Sequence, residues 1–208
     1  MRVIITGGSR GIGAGLAEGY TARGAEVIAT SRADVDMADA ASIARWASGV
    51  ADPVDLLVCN AGLYADKGET LEDGYPAEMW ATQMAVNVTG VFLTVQALLP
   101  RLRAAETSKI AIISSQMGSS TRASGTSIIY RVSKAAVLNL GMNLASALRA
   151  DGIPVGIYHP GWVRTDMGGA HAEIGVTEAR DGLMARFDEL GLPTTGCFRT
   201  WDGRDHPL

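Results

Sequence analysis

Six short runs, "RVIIT" at 2–6, "EVIAT" at 26–30, "DLLVC" at 55–59, "KIAIIS" at 109–114, "PVGIYH" at 154–159 and "GCFRTW" at 196–201, are mostly continuous in apolar residues and do not alternate. A strand that is apolar on both faces has to be covered on both, which is the condition of a parallel sheet held between two layers of helices. Helical patterns fill the gaps, over about 12–23, 39–49, 77–99, 133–150 and 177–190. The last four open near Asp39, Pro76, Ser133 and Thr177, read as caps or first-turn residues. The alternation predicts a doubly wound α/β sheet with right-handed crossovers. With 208 residues, 47% of them apolar, and no Pro/Ser-rich linker or repeat, a single domain over 1–208 is expected.

Charge and termini narrow the function classes. A formal charge of -4 and a pI near 5.4 offer no broad basic face, so nucleic acid is not expected as a partner and any anion site must be local. The first apolar run starts at Arg2, which leaves no room for a signal peptide, and no apolar stretch reaches the ~18 residues of a membrane span. The expectation is therefore a cytoplasmic protein with no membrane partner. Cys59 and Cys197 fall in strand-like runs without ligand or disulfide spacing, and His159 and His171 lack a metal-like partner, so no metal site is expected.

The first run passes directly into "TGGSRGIG", Thr6 to Gly13, and then into a helical pattern. Gly7 permits a sharp turn, Gly11 lets the backbone approach a pyrophosphate, and Gly13 lets the helix pack close. The free N–H groups of the helix N-terminus then face the anion, with Ser9, Arg10 and Ile12 in the same loop. A second device is "YRVSK", which sets Tyr130 and Lys134 four residues apart, on one face of a helix. A free phenol, with pKa ~10, is a sluggish acid or base at neutral pH; a nearby ammonium favours its anion and brings it toward the working range. Lys134 is thus expected to tune Tyr130.

The glycine spacing is G-x-x-x-G-x-G, and "TGGSRGIG", "NAG" (60–62), Asn87, "SS" (114–115), "YRVSK" and "PGWVRTDM" (160–167) occur in the order and approximate spacing of the short-chain dehydrogenase/reductases. The chain resembles that family along essentially its whole length. "ISSQMGS", "YRVSKAA", "PGWVRTDMGG" and the terminal "WDGR" are most similar to its small sniffer-like and C-factor-like carbonyl-reductase branch. The resemblance implies a Rossmann-type fold and hydride transfer between a nicotinamide and a carbonyl or secondary-alcohol substrate. It implies Tyr130 as acid or base, Lys134 as its tuner and ribose anchor, Ser115 as partner of the substrate oxygen, and Asn87 as holder of a relay water at a helix distortion. In most relatives the serine lies thirteen residues before the tyrosine, which here is Met117; the longer segment of the sniffer-like branch favours Ser115, with Ser114 and Ser119 behind it. Asn60, Ala61 and Gly62 are expected beside the adenosine ribose, and Pro160, Gly161, Val163 and Thr165 around the carboxamide. Trp162 and Met167 are candidate substrate-pocket residues.

Two features refine the resemblance. Ser31 and Arg32 stand at the end of the second run, where an NAD enzyme usually carries a carboxylate; with Arg10 they form a site for a 2′-phosphate, so NADP(H) is expected over NAD(H). Asp34 or Asp36, reaching the ribose, would restore NADH use. Only Ala33, Asp34 and Val35 separate Arg32 from Asp36, the expected adenine contact, and a crossover needs at least ~10 residues. The sheet order 3-2-1-4-5-6-7 is therefore expected with its third strand vestigial or absent and the adenine pocket more open. Small and apolar residues beyond one core stripe on 77–99 and 133–150 suggest a homodimer or homotetramer. A non-catalytic cofactor-binding sensor is the alternative function.

Overall fold

The computed structural model describes residues 1–208 apart from Asp73. β1 (Arg2–Ile5), β2 (Glu26–Ala29), β3 (Leu56–Cys59), β4 (Lys109–Ile113), β5 (Val155–His159) and β6 (Phe198–Thr200) form one sheet in the order β2-β1-β3-β4-β5-β6. Every pairing is parallel, with Ile4 opposite Leu57, Leu57 opposite Ile110, and Ala111 opposite Gly156. This is the expected doubly wound order with its third strand missing. In its place, residues 31–38 cross the sheet edge irregularly and bury Val35 and Met37 against Ile43.

Both faces of the sheet are covered, as continuous apolar strands require. Ile4, Leu57, Ile110 and Ile112 pack on one side against Val91, Val95, Leu98 and Val137 of α4 (Gly90–Arg103) and α5 (Ile128–Ala147), with Ala47 of α2 (Ala40–Ser48). Val3, Ile5, Val58, Ala111 and Tyr158 pack on the other side against Leu16 and Tyr20 of α1 (Gly11–Ala22) and Leu183, Met184 and Phe187 of α6 (Val176–Glu189). Loss of a side chain such as Leu57, fully buried in the central strand β3, would cost about 2–5 kcal/mol.

The helix starts follow local chemistry in part. Asp39 caps α2, its carboxylate accepting from the Ala41 N–H at 2.8 Å. Pro76 precedes α3 (Ala77–Met84), and Thr177 lies in the first turn of α6. Ser133 is neither cap nor first turn: α5 begins five residues earlier, at Ile128, and the Ser133 hydroxyl donates to its own helix at Tyr130 O, 2.8 Å away. Between α3 and α4 the helix widens into a π turn over Ala85–Thr89, so the distortion expected at Asn87 is present. The continuous run Ala77–Arg103 also reaches the length and apolarity of a membrane span, which the sequence reading did not anticipate. Here Val91, Val95, Leu98 and Leu102 of that run pack in the core.

Candidate active site

The strand ends at β1, β3, β4 and β5 open into a cleft of about 570 Å³. Its floor is the glycine turn after β1. Gly7 has φ +67°, and a Cβ there would lie 2.8 Å from Ala61 Cα; a Cβ on Gly13 would lie 2.2 Å from Gly7 O and 2.5 Å from Asn60 Nδ2. Asn60 locks the turn from below, its Nδ2 donating to Thr6 O at 3.1 Å and Gly7 O at 2.9 Å. The backbone is thus drawn tight enough that only glycine fits, which leaves the N–H groups at the start of α1 facing the cleft and fits a pyrophosphate. Gly7, Ser9, Arg10, Gly11, Ile12, Gly13, Ser31, Arg32, Asp36, Asn60, Ala61, Gly62, Tyr130, Lys134, Pro160 and Thr165 all line this cleft.

Both arginines expected to hold a 2′-phosphate stand at its rim, each beside a carboxylate. Arg10 pairs with Asp166 at 2.8 Å, joining the glycine turn to the segment after β5, and Arg32 pairs with Asp36 at 3.6 Å. These are exposed pairs, weak enough for an anionic ligand to exchange with the carboxylates. Gly161 and Val163 lie off the cleft wall. Gly161, at φ +89°, makes the turn under Trp201, while Val163 is buried and bridges Ile174. Met167 lines the cleft; Trp162 is exposed and donates its indole N–H to Gly168 O at 2.9 Å.

Tyr130 and Lys134 sit in the first two turns of α5, both buried, with Lys134 Nζ 5.7 Å from the Tyr130 ring centroid. Lys134 Nζ donates to Ile113 O at the end of β4, at 3.0 Å. Burial works against the expected tuning. Burial pushes the Tyr130 phenol well above its usual range, the Ser115 hydroxyl opposes that shift, and Tyr64 and Asp66 add to it. The ammonium lies against the ring, tied to a strand carbonyl, while burial lowers its own pKa to about 8.

Ser115 and Asn87 lie behind the cleft wall. Ser115 is buried, accepts from Met117 N at 3.1 Å, and favours the Tyr130 phenolate. Ser114 is occupied structurally, donating to Lys134 O at 2.9 Å, and Ser119 donates to Leu208 O at 3.2 Å. Asn87 is almost fully buried; its Oδ1 accepts from Leu63 N at 2.7 Å and its Nδ2 donates to Leu63 O at 2.8 Å and Ser133 Oγ at 2.9 Å. It therefore ties the segment after "NAG" to α5. Three residues escaped the sequence reading. Tyr64 stacks on Tyr130 at 4.2 Å between centroids, Asp66 accepts from the Ile129 and Tyr130 N–H groups, and Gln83 donates to Asp66. No local motif links positions so far apart in the chain, so the sequence carried no signal for them.

Comparison with known proteins agrees with this geometry. The model of the short chain dehydrogenase family matches residues 32–173, and the chain belongs to that family of oxidoreductases. It is 33% identical to the C-signal protein of Myxococcus xanthus over 156 residues, 74% of this chain and 93% of that one. The NADPH-bound carbonyl reductase from chicken fatty liver superposes with a TM-score of 0.90 at 27% identity, covering 100% of this chain and 98% of the other. The carbonyl reductase Sniffer of D. melanogaster shares the fold, with a TM-score of 0.87 at 22% identity over 100% of this chain and 99% of the other.

Proposed function

We propose that this chain is an NADP(H)-dependent carbonyl reductase acting on a small aldehyde, ketone or secondary alcohol. The observation that carries the proposal is the joint placement of Tyr130, Lys134 and the glycine turn on one cleft. The NADPH named with the chicken carbonyl reductase supports the choice of cofactor, as do Arg10 and Arg32 at the rim. When bound, the nicotinamide supplies or accepts the hydride.

The chain's own residues do the rest. The glycine turn and α1 N-terminus hold the pyrophosphate, Ser31, Arg32 and Arg10 the 2′-phosphate, and Thr165 with Pro160 the nicotinamide end. Tyr130 gives its proton to the carbonyl oxygen in reduction and takes it back in oxidation; the Ser115 hydroxyl donates a hydrogen bond to the same oxygen. The raised Tyr130 pKa suits reduction, because the phenol stays protonated at neutral pH. Lys134, with its pKa near 8, is partly neutral at working pH and can pass a proton on, while in its charged form it favours the phenolate. Asn87 ties Leu63 to Ser133, which lies between this pair on α5.

Steady oxidation of NADPH with a panel of aldehydes and ketones tests the proposal. Turnover abolished by Tyr130→Phe is expected. NADPH binding without turnover on any member would instead favour the sensor reading.

A further inference from the structure

The N-terminus of α5 is built in an unusual way. Ser127, at the N-cap position, has φ +50° and ψ +50°, the left-handed region that a serine enters at a cost. Its side chain makes no cap; it bonds instead to the Tyr64 hydroxyl at 2.6 Å. The free helix N–H groups are taken by a carboxylate from a distant segment. Asp66 is fully buried, with Oδ2 accepting from Ile129 N at 2.8 Å and both oxygens accepting from Tyr130 N at 3.2 Å. Gln83 of α3, also fully buried, donates to Asp66 Oδ1 at 3.2 Å and accepts from Ala65 N at 2.6 Å. Two residues before Asp66, the Tyr64 ring lies on the Tyr130 ring, 4.2 Å between centroids and 22° from parallel.

Resting on the catalytic reading of Tyr130, we propose that Asp66 is a positioning residue, which holds the Tyr130 backbone by its N–H and so fixes where the phenol stands at the cleft. A buried carboxylate is costly to desolvate, and a serine in its ordinary conformation would cap a helix more cheaply. The arrangement brings two devices from one loop to the same residue. Asp66 grips the backbone of Tyr130, and Tyr64 grips its ring. The groups facing the phenol are Ser115 from the segment after β4, Tyr64 and Asp66 from the segment after β3, and Lys134 from its own helix. Of these, the charge of Asp66 disfavours the phenolate and Ser115 favours it.

Asp66→Asn tests the role, because it keeps the size of the cap and removes the charge. The hold on Tyr130 is read without turnover, as the near-ultraviolet circular dichroism of each protein minus that of its Tyr130→Phe counterpart. This difference, which reports the stacked Tyr64–Tyr130 pair, should shrink about twofold or more in D66N. In alcohol oxidation with NADP⁺, the high-pH limit of kcat should fall about tenfold or more while the KM for NADP⁺ stays within about threefold. An unchanged difference spectrum overturns the proposal, and so does an unchanged limiting kcat. Asp66→Ser, a smaller neutral cap, takes the same measurements if D66N is insoluble. A wild-type protein without turnover would sink the catalytic reading alone and leave the difference spectrum to judge Asp66.

Discussion

Gly13→Ala adds one methyl group at the most crowded point of the cofactor cleft. Its Cβ would sit 2.2 Å from Gly7 O and 2.5 Å from Asn60 Nδ2, both well inside the 3.0 Å that real Cβ atoms respect. The first of these neighbours is backbone and the second is pinned by bonds to Thr6 O and Gly7 O, so neither can give way locally. Alanine gains about 1 kcal/mol over glycine within a helix. Overpacking of a rigid site costs about 1–3 kcal/mol, and a backbone neighbour puts this case at the upper end. The net expectation is about 2 kcal/mol of destabilisation, a fall in Tm of about 4–8 °C for a chain of this size. The larger effect should be on binding, because the glycine turn must open and its N–H groups no longer converge; NADPH affinity should fall more than tenfold. Gly49→Ala is the control, since its Cβ would meet only Trp46 O at 3.5 Å. Thermal melting with and without NADPH, and titration of NADPH fluorescence, measure both effects. Wild-type NADPH affinity in G13A would refute the reasoning, because no bound pyrophosphate would then depend on that turn.

Lys134→Met should change the pH dependence of stability. The folded-state pKa near 8 lies below the ordinary 10.5, so the unfolded chain binds the extra proton between those values, and the Lys134 contribution to stability should rise from pH 8 toward 10. K134M should lack that rise in denaturant unfolding and should also lose turnover; an identical pH slope in both proteins would contradict the burial of a charged Lys134. Arg32→Ala should weaken NADPH binding about tenfold or more and leave NADH nearly unaffected, measured by kcat/KM for both cofactors. Equal losses for the two would remove Arg32 from the 2′-phosphate site. Phe92 on α4 and Val132 on α5 are exposed, and they support assembly through these helices. Light scattering should give a dimer or tetramer mass, and a concentration-independent monomer would refute it.

The parts of the molecule that were readable in the sequence are those set by local chemistry. Continuous apolar runs defined all six strands, and three residues between Arg32 and Asp36 were too few for a crossover, which removed the third strand of the usual order. The glycine turn was legible because its geometry forbids side chains. The start of α5 was not legible. Ser133 looks like a cap and is an interior residue, because Asp66 supplies the helix N-terminus from 63 positions upstream of Ile129. The surroundings of Tyr130 were not legible for the same kind of reason. Spacing placed Lys134 on the right face, but its ammonium bonds to the carbonyl of Ile113 on β4, and the burial that raises the phenol pKa comes from segments distant in the chain.

Tyr130→Phe tests the catalytic assignment most directly, since it removes one oxygen atom and leaves the stacked ring against Tyr64. With NADPH and an aldehyde or ketone that the wild type reduces, kcat should fall about 10²-fold or more across the pH range, while NADPH affinity stays within about threefold. Wild-type turnover in Y130F would contradict the assignment of the transferred proton to this phenol.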